Sequence, residues 1–194
     1  DVANSCRFNS GSSDNFTFTP GGTGSRTTFT VSFWIKRGKL GAIQRIFDSD
    51  LQDNDTYHSS FFFKADDSFA MYNKDASNAG IDVYTNAKFR DPSAWYNIVA
   101  VFDTTNGTQS ERIRYFVNGV RQAVTGTLPN QNVDNTWFNR TYEHVIGKRA
   151  YDAAEFFGGY LAEFVFIDGS ALDADSFGEF DSDSGIWKPK SVSG

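Results

Sequence analysis

Trp95-Tyr-Asn-Ile-Val-Ala-Val-Phe-Asp103, then Thr104-Thr-Asn-Gly-Thr-Gln-Ser110, then Glu111-Arg-Ile-Arg-Tyr-Phe-Val-Asn-Gly-Val-Arg121 is the stretch whose reading decides the fold. Its first run is apolar at almost every position from Ile98 to Phe102, the pattern of a strand buried on both faces. The third run alternates. Ile113, Tyr115 and Val117 take one face, and Arg112, Arg114 and Phe116 take the other. Asn118-Gly119 then supplies two residues that tolerate positive φ, as a two-residue hairpin requires. The stretch therefore predicts strand, loop, strand, tight turn, strand. No catalytic group stands out in it.

The rest of the chain extends the same pattern. Thr28–Arg37 alternates over its whole length, with Phe29, Val31, Phe33 and Ile35 on one face. Cys6–Asn9 and Phe16–Pro20 read as an opening hairpin, Ser59–Ala65 and Ser68–Asn73 as a second hairpin turning at Asp66-Asp67, and Tyr160–Asp168 as a strong late strand. Gln44–Phe47 reads as a short strand entering an acidic loop. Asp168-Gly169-Ser170 turns into a short helical segment around Asp173–Phe180, and Trp187–Lys190 forms an extended exit.

Composition agrees with an all-β chain. Of 194 residues, 20 are Phe, 8 Tyr and 4 Trp, so rings rather than Leu and Met build the core. Seventeen Gly, with abundant Asn, Asp, Ser and Thr, punctuate short strands. The length suits one domain over residues 1–194. Because the chain starts directly on strand-like residues at Asp1, it reads as a piece of something longer. The net charge is −6 and no basic stripe exceeds Lys36-Arg37-Gly38-Lys39, which argues against a nucleic-acid partner. A single cysteine, Cys6, excludes an intrachain disulfide and a thiolate zinc site. No apolar run approaches a membrane span, so no membrane insertion is expected.

The order of these pieces carries a resemblance. Phe29–Lys36, Trp95–Asp103, Tyr115–Val120, Val145–Gly147 and Phe157–Leu172 follow one another as in the concanavalin A-like lectin/glucanase superfamily, in its laminin G-like and pentraxin-like branch. The resemblance covers roughly Arg7 to Phe180 and implies a two-sheet antiparallel jelly-roll β-sandwich. Phe33–Gly41, Phe166–Leu172, Ser176–Asp181 and Gly185–Lys190 further resemble laminin G-like domains of virion and tail proteins of marine bacteriophages. That likeness implies a non-enzymatic module on a virion surface, outside the cell, on a tail, fibre or capsid. Its partners would be host-surface glycan or neighbouring virion proteins, engaged multivalently or as a homo-oligomer. A purely structural decoration or cement domain is the alternative reading, and a carbohydrate-active hydrolase is a third.

No catalytic residue emerges. A glycosidase on this fold needs a pair of carboxylates flanking the bond it cleaves, and the Glu-x-Asp-x-x-Glu pattern that supplies them is missing; Glu163 stands alone in its strand. His58 and His144 have no triad or zinc spacing around them. Calcium is the one metal with a candidate ligand set, the carboxylates Asp48, Asp50, Asp53 and Asp55 of the acidic loop. For a sugar, the expectation falls on aromatics in loop-like sequence. Trp137, Phe138, Tyr142 and Tyr151, with Asn139 among a run of asparagines, could stack a ring and bond its hydroxyls.

Overall fold

In the computed structural model, residues 4–51, 56–75 and 78–192 are described. Among them run β1 (Cys6–Phe8), β2 (Phe16–Phe18), β3 (Thr28–Arg37), β4 (Gln44–Asp50), β5 (His58–Phe63), β6 (Phe69–Asp75), β7 (Asn78–Thr85) and β8 (Tyr96–Asp103). There follow β9 (Ile113–Val117), β10 (Val120–Arg121), β11 (Val124–Thr127), β12 (His144–Ile146), β13 (Gly159–Asp168), β14 (Gly178–Phe180) and β15 (Trp187–Pro189). They make a six-stranded sheet in the order β1-β13-β3-β8-β9-β10 and a seven-stranded sheet in the order β11-β7-β6-β5-β4-β12-β2. A small pair, β14-β15, stands apart. The assigned pairings are antiparallel throughout, and the two large sheets close face to face as a jelly-roll sandwich. No helix among the described residues is long and apolar enough to cross a membrane.

The interior is made of rings, as the composition requires. Phe47, Phe138, Phe61 and Phe69 stack nearly parallel, with centroids 4.6, 5.3 and 6.0 Å apart in turn. Phe29, Phe33 and Phe102 of the six-stranded sheet pack from the opposite side, all fully buried. Each well-placed aromatic pair adds about 0.5–1.5 kcal/mol beyond the area it buries.

β8 is buried on both faces because a second, smaller core covers the outside of the six-stranded sheet. Trp34, Val99 and Val101 point outward there and meet Ala162, Phe177 and Trp187. The hairpin after β9 forms as expected: Asn118 and Gly119 have φ of 48° and 78°. Trp187 lies across it, so that a Cβ built on Gly119 would come within 2.4 Å of the indole ring.

Three expectations are corrected. Cys6–Phe8 and Phe16–Phe18 do not pair with each other: β1 joins β13 and β2 joins β12, in opposite sheets. The segment after Asp173 is a 3-10 turn over Ala174–Ser176 followed by β14, which pairs with the supposed exit Trp187–Pro189. Asp48 and Asp50 belong to β4 and not to a loop.

Candidate functional site

The register of the seven-stranded sheet lays out its outer face residue by residue. Val145, Asp48, Ser60, Tyr72, Asp82 and Thr127 pair successively across β12, β4, β5, β6, β7 and β11, so their side chains share one face. Arg45, Phe62, Ala70, Tyr84 and Thr125 form a second row, and Asp50, His58 and Lys74 a third. The residues between them, Phe47, Phe61, Met71 and Val83, point the other way into the core. The outer face thus carries the rings of Tyr72 and Tyr84 beside Lys74, Asp82 and the hydroxyls of Thr125 and Thr127.

A loop walls this face on one side. From Gly147 to Phe157 the chain bends back over β4, and the Arg45 amide donates to the Glu155 carbonyl at 2.9 Å. The Arg45 side chain meets the Glu155 carboxylate at 2.6 Å and lies 4.4 Å above the Phe62 ring. Arg149 reaches the other Glu155 oxygen at 3.0 Å and stacks over Tyr151 at 4.6 Å. Tyr151 in turn lies 5.7 Å from His58, which lies 5.2 Å from Tyr72. Farther along the face, Lys64 sits over the Tyr84 ring at 4.1 Å and pairs with Asp82 at 3.6 Å. Tyr72, Tyr84 and Tyr151 are half-buried and keep part of each ring in solvent.

Asp48 lies beneath this wall and is fully buried. It accepts the Ala150 amide at 3.2 Å and has the Arg45 guanidinium 3.8 Å away. Burial pushes its carboxyl above the usual range, and Arg45 opposes that shift. A carboxylate sealed under a loop with a cation beside it anchors that loop. Asp53 and Asp55 lie outside the described residues. Among the described residues no group of three or more His, Cys, Asp or Glu side chains is placed to hold a metal ion.

The loop aromatics expected to meet a sugar divide sharply. Phe138 is fully buried in the ring stack between Phe47 and Phe61 and cannot touch a ligand. Trp137 is itself 7% exposed: its indole donates to the Lys74 carbonyl at 3.2 Å, and Arg140 covers its face at 4.1 Å. Asn139, at φ 63°, bridges Ser25 and Asp168 through its side-chain amide and donates its backbone N–H to His144 Nε2 at 3.0 Å. That network is structural. Burial holds the His144 imidazole below its usual range. Tyr142, half-buried at the rim near Trp137, and Tyr151, on the outer face, keep open ring surface.

Tyr72, Tyr84 and His58 were not among the expected binding residues. The readable signal for the tyrosines was phase. Tyr72 is out of step with Phe69 and Met71, and Tyr84 with Val83, so each falls on the side away from the core.

Comparison with known proteins fits this architecture. A search of curated sequences finds no match. Among solved structures, the mouse laminin α1 chain domains LG4-5 superpose with a TM-score of 0.63 at 12% identity, over 99% of this chain and 46% of that one. The Ruminococcus gnavus IT-sialidase CBM40 bound to α2,3-sialyllactose superposes with a TM-score of 0.57 at 15% identity, over 84% and 95%. The heptameric SAP-like pentraxin of Limulus polyphemus gives 0.55 at 18% identity, over 81% and 70%. The family model described as the concanavalin A-like lectin/glucanases superfamily matches residues 10–176. With a match over most of its length, the chain belongs to the concanavalin A-like lectin/glucanase superfamily.

Proposed function

We propose that this chain is a non-catalytic glycan-binding module whose ligand lies on the outer face of the seven-stranded sheet. The observation that carries the reading is the row register: Tyr72 and Tyr84, half-buried and out of phase with the core, stand among Lys64, Lys74 and Asp82, with Tyr151 as a side wall. A sugar presents an apolar C–H face and a fringe of hydroxyls. Tyrosine rings take the first, and charged and amide groups take the second. Asp82 pairs with Lys64 on this face, and Glu155 pairs with Arg45 and Arg149. The sequence also lacks the Glu-x-Asp-x-x-Glu pattern that would supply an acid and a nucleophile for glycoside cleavage. A structural relative with the same sandwich was solved with sialyllactose, which supports a glycan as the ligand class.

A single shallow site of this kind binds weakly, and several copies on one scaffold raise the effective affinity by roughly 10² to 10⁴. We place the module on the exterior of a virus particle, on a tail, fibre or capsid. The support for that is the likeness of Phe33–Gly41, Phe166–Leu172 and Gly185–Lys190 to phage virion domains. The test is a glycan array probed with the purified chain made multivalent on a carrier. Binding that falls at least tenfold in Tyr72→Ala while the melting temperature holds supports the reading. No binding by the wild-type chain to any host polysaccharide overturns it in favour of a purely structural decoration domain.

A further inference from the structure

Nine of the ten arginines in this chain are committed within the fold. Seven pair with a carboxylate, and Arg112 and Arg140 donate to backbone carbonyls. Arg7 is the tenth. Among the described residues its side chain has no ion pair and no hydrogen bond, and it is exposed. A free surface arginine costs the fold nothing, so its freedom gains meaning only from its neighbours.

Those neighbours are set by register. Arg7 pairs with Tyr160 of β13, and Tyr160 with Lys36 of β3, so the three side chains stand in one row. The row faces outward, since Ala162 and Trp34, two residues on, belong to the outer core. Tyr160 is 39% exposed, with the Trp95 ring 6.4 Å away. Lys36 has no ion pair among the described residues; Asp91, which feels it at longer range, accepts the Ser93 amide and hydroxyl.

At the end of this row Arg7, Ser10, Lys39 and Tyr160 line a cleft of about 240 Å³, completed by the backbone of Gly38, Gly158 and Gly159. No Asp or Glu lines it among the described residues. The Ser10 hydroxyl has no hydrogen-bond partner there, and a Cβ on Gly158 would come 3.3 Å from it, so glycine keeps that space open. Asn4 and Val192, near the two described ends of the chain, lie beside Glu163 and away from the cleft.

We propose that this cleft is a second ligand site, on the opposite side of the sandwich from Tyr72, which takes one acidic unit of a glycan. The guanidinium of Arg7 meets a carboxylate or sulfate ester with two parallel hydrogen bonds, and Lys39 adds a point charge. Tyr160 offers a ring to the apolar C–H face of the same sugar, and Ser10 a hydroxyl to its fringe. The volume is below the roughly 300–1,000 Å³ of a site that engulfs a whole ligand, so one unit of a longer chain enters. In a protein of net charge −6, a cleft whose charged side chains are all cations selects for anions. The glycan class follows the reading above, but the site and its residues are separate.

The test titrates trigalacturonate, sulfated galactose and neutral galactose into isotope-labelled wild-type chain at low salt. The expected result is chemical-shift change at the amides of Ser10, Lys39 and Tyr160 with the charged sugars, at least fivefold tighter than with galactose and weakened by added salt. Binding by either anion supports the inference, and the tighter one names the oxyanion. Arg7→Gln should weaken it at least fivefold with the melting temperature unchanged, because Arg7 holds nothing in the fold. Tyr160→Ala should weaken the charged sugars and leave inorganic sulfate unaffected. The inference is overturned by no shift at millimolar sugar, by Arg7→Gln binding as wild type, or by inorganic sulfate or hexaglutamate binding as tightly as the sugars. Tyr72→Ala should leave this binding unchanged, so failure at either site is read independently of the other.

Discussion

The indole N–H of Trp187 donates a 3.0 Å hydrogen bond to Oδ1 of Asn97, ninety positions earlier in the chain. Asn97 is 1% exposed, and its amide nitrogen reaches the Phe33 carbonyl at 3.3 Å, while its own N–H donates to Asn118 Oδ1 at 2.7 Å. One buried asparagine therefore ties the C-terminal strand pair, β3 and the β9–β10 turn together. Trp187→Phe removes the donor and leaves Asn97 Oδ1 short of its partner, a loss of about 1–3 kcal/mol. Trp187→Ala also empties the outer core and should cost about 3–5 kcal/mol. Urea denaturation with unchanged m-value checks both.

Phe138 separates packing from recognition. Its ring lies between those of Phe47 and Phe61, so Phe138→Ala should cost about 3–5 kcal/mol. Any glycan affinity of the folded fraction should stay within about twofold, since the ring has no solvent face. Loss of binding in a variant shown to be fully folded would return Phe138 to the binding site.

Arg37 is fully buried, with its guanidinium 3.0 Å from Asp67 and 4.1 Å over the Phe63 ring. Asp67→Asn leaves that charge uncompensated and should cost about 3–5 kcal/mol. The double variant Arg37→Met, Asp67→Leu should lose less than Asp67→Asn alone. Thermal melts of the three proteins at pH 7 check the order.

Acid should weaken the fold in two stages. The buried His144 has its folded pKa below the unfolded value, so its contribution is present above pH 6.5 and is lost as pH falls below it. Burial tends to raise the Asp67 carboxyl, yet the Gly41 amide, Arg90 and Arg37 outweigh it and hold the group below its ordinary 3.8. Its contribution is therefore full above that value and disappears as pH falls through the lowered pKa. Asp48 acts the other way: with its folded pKa raised, it costs stability as pH climbs above 3.8. Asp48→Asn should accordingly be no less stable at pH 7 than at pH 4 relative to wild type, as chemical melts across pH 3–8 would read.

Much of the sandwich was legible because alternation needs no partner to be seen. Thr28–Arg37 is a strand with the expected faces, and Asn118-Gly119 turns as its two residue types demand. The three-residue strands β1 and β2 were placed wrongly because so short a segment has no pattern of its own, and its partner is decided by the sheet. Asp48 was misread as loop since a carboxylate in a strand usually faces water. Its cover, the Gly147–Phe157 segment, lies a hundred residues away in sequence. Trp137 and Phe138 looked alike as loop aromatics, and only the packing of Phe138 against Phe47 and Phe61 separates them.

The placement of β1 and β2 in opposite sheets has a consequence for how the molecule is born. Cys6 pairs with Leu161 and Phe18 with His144, so both opening strands must wait for residues 144–161 to emerge during synthesis. Until then the β12 and β13 edges that receive them do not exist, and closing such long loops is slow. The nascent protein thus carries Phe8, Phe16 and Phe18 uncovered while residues 19–143 are made. Its vulnerability to aggregation is concentrated in the interval before residues 144–161 emerge from the ribosome, and slowing translation between residues 18 and 144 should lower the soluble yield more than slowing it after residue 161.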